Sequence, residues 1–523
     1  SNKKHNISFN INHAVSNWLT INSRISYDQM RIEGMGTSEN TDRFNKMQHI
    51  IQYRPTIGIQ GADADLLFGE DPILADDSGN VMQNPLISAA EEINNREWRT
   101  FQANGGATIK LWKGFSFRST VGMRYQTRRN DIFYGADSQT AKRSSIYGSI
   151  TNIESSSLQN SNVLSYSWKN SSHDVAIMVG HEFVTKWTRQ FSAGATQFPN
   201  DEIGLADLSL GTPSTPTSNE NYDDKLLSFF TRVNYAHMNR YLFTASIRAD
   251  GSSKFGKNNK WGYFPAVSAA WRLSEETFIK NIGIFSDLKL RIGYGLAGNN
   301  RINNYQSLAI MSSVTAASGN GAQAGYASNQ VPNPDLKWET TTEVNFGLDF
   351  GFFRNRINGS VDVFFKEVKD LLSWRSLPHT AVTTGIWSNI GKTKSTGFEL
   401  TLNTVNLEGP LHWESTLTYT SYRDRWKERD PKVILAPYVK ENDPVSAIYT
   451  LIPDGIKQAG EDTPAMPDLL PGQRKYKDVN GLDEEGNLTG KPDGKIDQAD
   501  VVYLGTRAPK FTMGFSNDFR YKG

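Results

Sequence analysis

Four side chains in the polar stretches between hydrophobic segments could bind a ligand by stacking. Trp374 and Trp387 flank the sequence LPHTAVTTGI, His379 lies inside it, and Tyr305 lies in the sequence NNRINNYQ. A flat aromatic face can stack on a sugar ring, while adjacent amides can hydrogen-bond hydroxyl groups. Aromatic residues near strand ends can instead mark an interface between membrane and water. We treat Tyr305, Trp374, His379 and Trp387 as candidate substrate-binding residues.

A second candidate site is the acidic stretch from Asp478 to Asp500. When residues 482–492 are left out, it reads DVNGDGKIDQAD, close to the calcium loop of EF-hand proteins and dockerins. Oxygen donors at alternating positions suit Ca²⁺, and glycine allows the sharp turn. The insertion breaks the usual ligand spacing, so an acidic, solvated hairpin is the alternative. The candidate ligands are Asp478, Asn480, Asp493, the carbonyl of Lys495, Asp497 and Asp500.

Catalytic signatures are missing from the sequence. Cysteine is absent, which excludes disulfides, thiolate metal ligands and cysteine nucleophiles. The eight histidines do not pair at metal-ligand spacing, and neither a dinucleotide-binding loop nor a Gly-x-Ser-x-Gly motif occurs. A net charge of +1 gives no electrostatic case for nucleic-acid binding. We therefore expect a protein that is not an enzyme, binds no nucleic acid and requires no cofactor.

The segments that must position these residues alternate between apolar and polar side chains. In 226–237, Leu227, Phe229, Val233 and Tyr235 share one face of an extended chain, because successive side chains of a strand point to opposite faces. The same pattern recurs along the chain and predicts about fifteen strands. They are 5–13, 18–28, 97–109, 115–126, 157–168, 174–184, 225–237, 240–250, 262–272, 286–297, 340–351, 357–369, 393–405, 411–422 and 509–521.

Short and long connections alternate between these strands. Connections within pairs are short, as at 113–114, whereas those between pairs are long and polar, as at 29–96, 298–339 and 423–508. All long connections therefore leave from one end of the sheet. This favours a transmembrane antiparallel β-barrel with long extracellular loops over a soluble β-sandwich. The connection 273–285 is an exception and contains LSEETFIK, a candidate helical turn.

The alternation also predicts which side chains face lipid and which face the lumen. Only alternate residues of a barrel strand contact lipid, so low overall hydropathy does not exclude membrane spans. No stretch approaches the ~18–20 apolar residues that a membrane helix needs. We expect Phe115, Phe117, Val121, Val344, Phe346, Leu348, Val361 and Val363 to point outward, and Arg118, Arg124, Asn345 and Asp362 to point to the lumen.

Six segments in the latter part of the chain have a distinctive sequence. They are YLFTASIRADGSSKFG (241–256), KWGYFPAVSAAWRLSEE (260–276), LKLRIGYGLAGNN (288–300), NPDLKWETTTEVNFGLDFGFF (333–353), NIGKTKSTGFELTL (389–402) and the stretch 475–523. These segments resemble the SusC/RagA-like TonB-dependent transporters of the outer membrane of Gram-negative bacteria, and they occur in the order of that family.

The resemblance implies a barrel of about 22 strands, of which residues 1–523 would be a part. A barrel of that size needs a plug in its lumen. We expect the plug, its TonB-contacting segment and the last strands to belong to a longer polypeptide. The family implies import of oligosaccharides or oligopeptides, energised by TonB-ExbB-ExbD, beneath a SusD-like surface lipoprotein. The alternatives are a siderophore or vitamin receptor without a lid, and a cell-surface glycan-binding protein that transports nothing.

Overall fold

The computed structural model describes residues 1–34, 91–138, 145–318, 321–378 and 383–522, together with residues 51, 70–71, 82–83, 141 and 380–381. Among the described residues the chain is mainly β-strand, with a few short helical turns. The all-β prediction is therefore confirmed.

Fifteen long strands form one sheet, in which each strand is hydrogen-bonded to the long strands before and after it in the chain. Neighbouring strands pair in antiparallel register. The strands are β1 (Asn2–Ala14), β2 (Leu19–Ile32), β3 (Glu92–Trp112), β4 (Phe115–Tyr134), β5 (Tyr147–Lys169), β6 (His173–Thr196), β7 (Thr212–His237), β8 (Tyr241–Ser252), β9 (Trp261–Arg272), β10 (Phe285–Asn299), β11 (Glu339–Phe352), β12 (Ile357–Lys369), β13 (Lys392–Leu407), β14 (Leu411–Glu428) and β15 (Thr512–Tyr521).

Short turns join the strands at one end of the sheet. Between β7 and β8, Met238 and Asn239 have φ angles of +50° and +56°, and the N–H of Arg240 donates to the carbonyl of His237 at 2.9 Å. Two central residues with positive φ give a turn whose twist matches that of the flanking strands. This end of the sheet is therefore closed by tight turns, as predicted.

The longer connections carry shorter elements. The predicted helical turn in 273–285 is present as a 3₁₀ turn and one α-helical turn. The shorter strands are Glu70–Asp71, Met82–Gln83, Ile310–Ser318, Gly321–Gln330, Leu372–Ser376, Gly385–Asn389, Ala447–Thr450, Pro453–Ile456, Arg474–Tyr476 and Val502–Thr506; the helical turns are Gly204–Ala206, Leu208–Leu210, Leu273–Glu275, Thr277–Lys280 and Gln498–Asp500. None of the helices in the described ranges is long and apolar enough to cross a bilayer.

The chain divides into two compact units. The first contains Ser1–Leu164 and Gly180–Leu227, and the second contains Ser165–Val179 and Ser228–Gly523. In each unit, the paired strands carry a row of large apolar side chains on one face and charged side chains on the other.

In the first unit, an apolar row crosses the strands β1 to β4. Tyr27 pairs with Ile7 and with Phe101, and Phe101 pairs with Tyr125. Next along β4, Val121 and Met123 are also exposed. The predicted outward residues Phe115 and Phe117 share the face of Val121 by alternation, whereas Arg118 and Arg124 occupy the other face of β4.

In the second unit, an apolar row crosses β10 to β13. Phe346 pairs with Ile292 and Val363, and Val363 pairs with Phe398. Phe346 is 48% exposed. Such a row of large exposed apolar side chains requires an apolar environment, which agrees with the prediction that this face contacts lipid.

The opposite face of the same strands carries ion pairs. Arg291 donates from Nη2 to Asp349 at 2.7 Å and to Asp362 at 3.0 Å, and the Lys289 ammonium lies 2.5 Å from Asp349. Gly347 lies between these groups, and a Cβ there would be 2.5 Å from Cζ of Arg291. The absence of a side chain at Gly347 therefore lets the guanidinium cross between strands. Asp362 faces away from the apolar row, as predicted.

A small hydrophobic core fixes the connections at the long-loop end of the second unit. Phe255 and Leu336 are almost fully buried, and the Trp338 ring lies 5.2 Å from that of Phe255 and 5.4 Å from that of Phe264. Trp338 Nε1 donates to the carbonyl of Lys260 at 2.9 Å. Residues from three of the family-like segments, 241–256, 260–276 and 333–353, thus build this core and hold the long connections in place.

Several strands extend further than their predicted bounds. β5 begins at Tyr147 instead of 157, β6 continues to Thr196 instead of 184, and β14 continues to Glu428. The predicted loop 423–508 is therefore corrected to 429–511. At the end of β14, Lys427 pairs with Glu367 and Lys392 with Glu428. The extension of β14 is thus held by polar cross-strand pairs and lacks the apolar alternation from which strands are predicted.

Candidate functional site

Trp374 and Trp387 form a cross-strand pair on a small hairpin at the long-loop end. The hairpin consists of the strands Leu372–Ser376 and Gly385–Asn389, in which Trp374 pairs directly with Trp387. The ring centroids are 6.1 Å apart and the rings are inclined by 71°, an edge-to-face arrangement. Trp374 is 42% exposed. The structure thus joins two residues that were predicted only as separate members of a loop.

The hairpin requires glycine at position 385, where its second strand begins. A Cβ on Gly385 would lie 2.4 Å from Cε2 of Trp374, so any larger residue would displace the indole. Thr383 donates to the carbonyl of Gly385 at 3.1 Å and is itself buried. The indole of Trp374 is therefore packed on one side, and part of it remains open to a ligand.

Asn333 connects the hairpin to the segment that contains Tyr305. The Asn333 side chain donates to the carbonyl of Trp387 at 2.7 Å, and its backbone N–H donates to the carbonyl of Ser307 at 3.2 Å. Tyr305 has a φ of +65°, and its carbonyl accepts a hydrogen bond from Gln330 Nε2 at 2.9 Å. Asn333 therefore links the hairpin of Trp374 and Trp387 to Ser307, two residues after Tyr305. His379 lies outside the described residues.

An ion pair anchors the hairpin to the connection that follows β14. Arg375 donates from Nε and Nη2 to the two oxygens of Asp430 at 2.6 and 3.1 Å, and the Asp430 side chain is only 5% exposed. Burial by itself raises the pKa of Asp430. The N–H of Lys432 and the Arg375 guanidinium outweigh burial, so the pKa lies below its ordinary value. Sequence reasoning missed this pair because its members are far apart in the chain and belong to no motif.

The acidic stretch has a different organisation from a calcium cage. Asp478 accepts hydrogen bonds from the N–H groups of Asp493 at 3.2 Å and Gly494 at 2.7 Å. Asp500 accepts from the N–H groups of Val479 at 2.7 Å and Asn480 at 3.1 Å, and its other oxygen accepts from Asp497 at 3.0 Å. The candidate carboxylates thus bind backbone donors.

The remaining candidate ligands take part in the same local turns. Asp493 accepts from the N–H of Lys495 at 3.0 Å, and Asp497 accepts from that of Ala499 at 2.7 Å. Within the described ranges, no group of three or more His, Cys, Asp or Glu side chains is arranged to hold a metal ion. In this arrangement the candidate ligand oxygens do not surround a common point as Ca²⁺ ligands would. The calcium site stays a prediction.

Replacing Asp500 with Asn is expected to loosen the acidic stretch. Asp500 is fully buried. An amide cannot accept on both sides, and each buried N–H left without an acceptor costs about 1–3 kcal/mol. Burial raises and the N–H donors lower the pKa of Asp500, with a net lowering. Ionised Asp500 therefore stabilises the stretch at pH values above the pKa of an aspartate in the unfolded chain, about 3.9. This stabilisation is lost as the pH falls through the lower pKa that Asp500 has in the folded protein.

Hydrogen exchange of the amides in 478–500 measures this effect in the full-length protein. The exposed Glu484→Gln substitution removes the same charge without a buried acceptor and should leave exchange unchanged. Equal exchange in both variants would contradict the structural role of Asp500. Added Ca²⁺ tests the metal prediction in the same samples: slower exchange of the unsubstituted protein would support a calcium site, and no change would argue against it.

The long strands, tight turns at one end, long connections at the other and an apolar sheet face define an outer-membrane β-barrel. Residues 6–468 match the model of the family described as TonB dependent receptor-like, beta-barrel. The chain belongs to this family.

The similar proteins agree with this assignment. The chain is 29% identical over 495 residues to TonB-dependent receptor P3 of Formosa agariphila, covering 90% of this chain and 47% of that protein. It is 32% identical over 369 residues to TonB-dependent receptor SusC of Bacteroides thetaiotaomicron, covering 67% of this chain and 35% of that protein. The RagAB peptide transporter structure matches with a TM-score of 0.77 at 21% identity, covering 100% of this chain and 56% of that chain. The chain thus spans about half or less of the length of these relatives.

Proposed function

We propose that this chain forms most of the barrel of a SusC-like nutrient importer. In this proposal the outer-membrane protein takes up oligosaccharides at its long-loop end and passes them inward. The observation that carries it is the Trp374–Trp387 pair, in which an indole 42% exposed lies on a hairpin fixed by Arg375 and Asn333. Rigid aromatic faces next to amide groups suit sugar rings, which present one apolar face and a rim of hydroxyls.

Oligopeptides are the second candidate substrate. The support is the similarity in fold to a complex that is described as a peptide transporter. Aromatic side chains and amides can also bind an extended peptide, so the same residues serve either substrate.

The proposed partners follow from the family. Energy would come from TonB-ExbB-ExbD, acting on a plug outside this chain, and a SusD-like surface lipoprotein would close over the long connections. A siderophore or vitamin receptor would lack that lipoprotein, and a glycan-binding surface protein would lack energy-dependent uptake. Isolation of the full-length protein from outer membranes, followed by identification of associated lipoproteins, distinguishes the first of these alternatives.

Uptake in living cells tests the proposed function. A strain without the full-length gene is compared with the parent strain on a panel of purified glycans and peptides, with and without dissipation of the proton-motive force. We expect the deletion strain to lose uptake of one substrate class, and the parent to lose it when the force is dissipated. Undiminished uptake of every substrate by the deletion strain would contradict the proposal.

A further inference from the structure

A charged groove lies on the apolar face of the first unit, just beyond its aromatic row. Glu97 and Arg99 precede Phe101 at alternate positions of β3, so they share the face of Phe101. Glu97 pairs with Arg129 of β4, as Phe101 pairs with Tyr125. The charged row thus continues the lipid-facing side of the strands toward the end with the long connections.

The groove is rich in arginine. It has a volume of about 500 Å³ and is lined by four arginines, two glutamates and the ring of Phe191. The side chains of Arg99 and Arg129 are 55% and 52% exposed. The guanidinium groups of Arg99 and Arg129 are therefore accessible from outside. The four arginines are Arg99, Arg128, Arg129 and Arg189; Arg128 has the alternation of Arg124 and so points to the opposite face of β4.

Local ion pairs orient Arg99 and Arg129 without using all their donors. Arg99 donates from Nε to Glu97 at 2.9 Å, and Glu97 also accepts from Gln29 at 2.6 Å. Arg129 donates from Nε to both oxygens of Asp131, at 2.8 and 3.0 Å. A guanidinium has five N–H donors in a planar fork, so an arginine held by one carboxylate can bind a second anion. The fork matches the geometry of phosphate oxygens.

The depth of the groove identifies the source of that anion. Long connections of outer-membrane barrels are extracellular, and aromatic rows mark the boundary between hydrocarbon and headgroups. A group next to the Tyr27–Phe101–Tyr125 row, on the lipid-facing side, is therefore at the depth of outer-leaflet headgroups. Acyl chains attached to a headgroup in the groove would lie along the apolar row below it.

We propose that the arginine groove binds the phosphate-bearing headgroup of an outer-leaflet lipid. Arg99, Arg129 and Arg189 contact the phosphate, while Phe191 packs against the apolar part of the headgroup. The bound lipid fixes the first unit in the leaflet at a defined depth. This site is on the opposite face of the strands from the lumen and is independent of the transported substrate.

Binding of dihexanoyl phosphatidic acid to the full-length protein in detergent tests the proposal. The triple substitution R99Q/R129Q/R189Q is expected to weaken binding about 100-fold, since three basic residues near a phosphate are removed. The triple substitution to lysine keeps the charge but not the fork, so it should bind with intermediate affinity. The matched control R118Q/R124Q removes two arginines from the lumen face of β4 and should bind as the unsubstituted protein does.

Two further ligands separate the possible outcomes. Dihexanoyl glycerol has the same chains without phosphate, and inorganic phosphate has the anion without chains; both should bind far more weakly than the phospholipid. Equal affinity for inorganic phosphate would overturn the assignment to a lipid. The site would be overturned if the glutamine variant bound the phospholipid as well as the unsubstituted protein does. It would also be overturned if the unsubstituted protein bound dihexanoyl glycerol as well as the phospholipid, a result that does not require any variant to fold.

Discussion

Arginine in place of Phe346 is expected to prevent most of the full-length protein from assembling in a bilayer. Phe346 lies in the middle of β11, is 48% exposed, and pairs with Ile292 and Val363 on the apolar face. An arginine on the lipid face near the membrane midplane costs about 2–4 kcal/mol. That cost is a large part of the stability of a typical folded protein. Unfolding by urea in lipid vesicles, followed by the heat-dependent gel mobility of barrels, measures the loss.

The adjacent residue provides a matched control for this prediction. Asn345 precedes Phe346 in the same strand and therefore points to the opposite face. That face carries the ion pairs of Arg291 with Asp349 and Asp362, so it accommodates charged groups. Asn345→Arg should assemble with little change in stability. If the two variants were equally stable, or if Asn345→Arg were the more harmful, the assignment of the two faces would be wrong.

The two faces and the strand order could be predicted because the period of two is a strong signal where one face contacts lipid. Phe346 and Asp362 were assigned correctly from alternation alone. The signal disappears where β5 and β6 extend beyond the apolar row. There, polar pairs such as Ser155–Thr188, at 3.0 Å, continue the strands, and Arg189 interrupts the apolar face between Trp187 and Phe191. Strand ends at such positions cannot be read from periodicity.

The candidate site was predicted by residue type but not by arrangement. Trp374 and Trp387 were chosen as aromatic residues in a loop, whereas the structure pairs them across a hairpin. The strands of this hairpin are too short for a periodic pattern. Their position depends on Asp430 and Asn333, which come from other connections. Local sequence carries no information on such partners.

The acidic stretch shows that one sequence pattern fits two different uses of a carboxylate. Aspartate and asparagine next to glycine are typical of calcium loops, and they are equally typical of turns in which a side chain accepts backbone N–H groups. In this chain Asp478, Asp497 and Asp500 all accept from backbone N–H groups. A sequence pattern alone does not distinguish these two uses of a carboxylate.

Simultaneous replacement of Trp374 and Trp387 with Ala is expected to abolish most substrate capture. One aromatic ring stacked on a sugar contributes about 1 kcal/mol, so either single substitution should weaken binding roughly fivefold and the double one about thirtyfold. The two rings form one edge-to-face pair, so loss of one ring also removes support from the other. Each single effect therefore already includes part of the loss of the other ring, so the double effect should equal or fall short of the sum of the single effects.

Growth of the double variant on a panel of purified glycans and peptides identifies the substrate class along with the site. Trp18 and Trp112 provide the matched control, because they are 55% and 65% exposed and lie at the end with the short turns. Their double replacement removes the same amount of aromatic surface at the opposite end of the strands, and uptake should persist. Unchanged uptake of every substrate after loss of Trp374 and Trp387 would remove the hairpin from the binding site. A loss confined to peptides would make oligopeptides the cargo, since the hairpin would then bind peptide and not sugar.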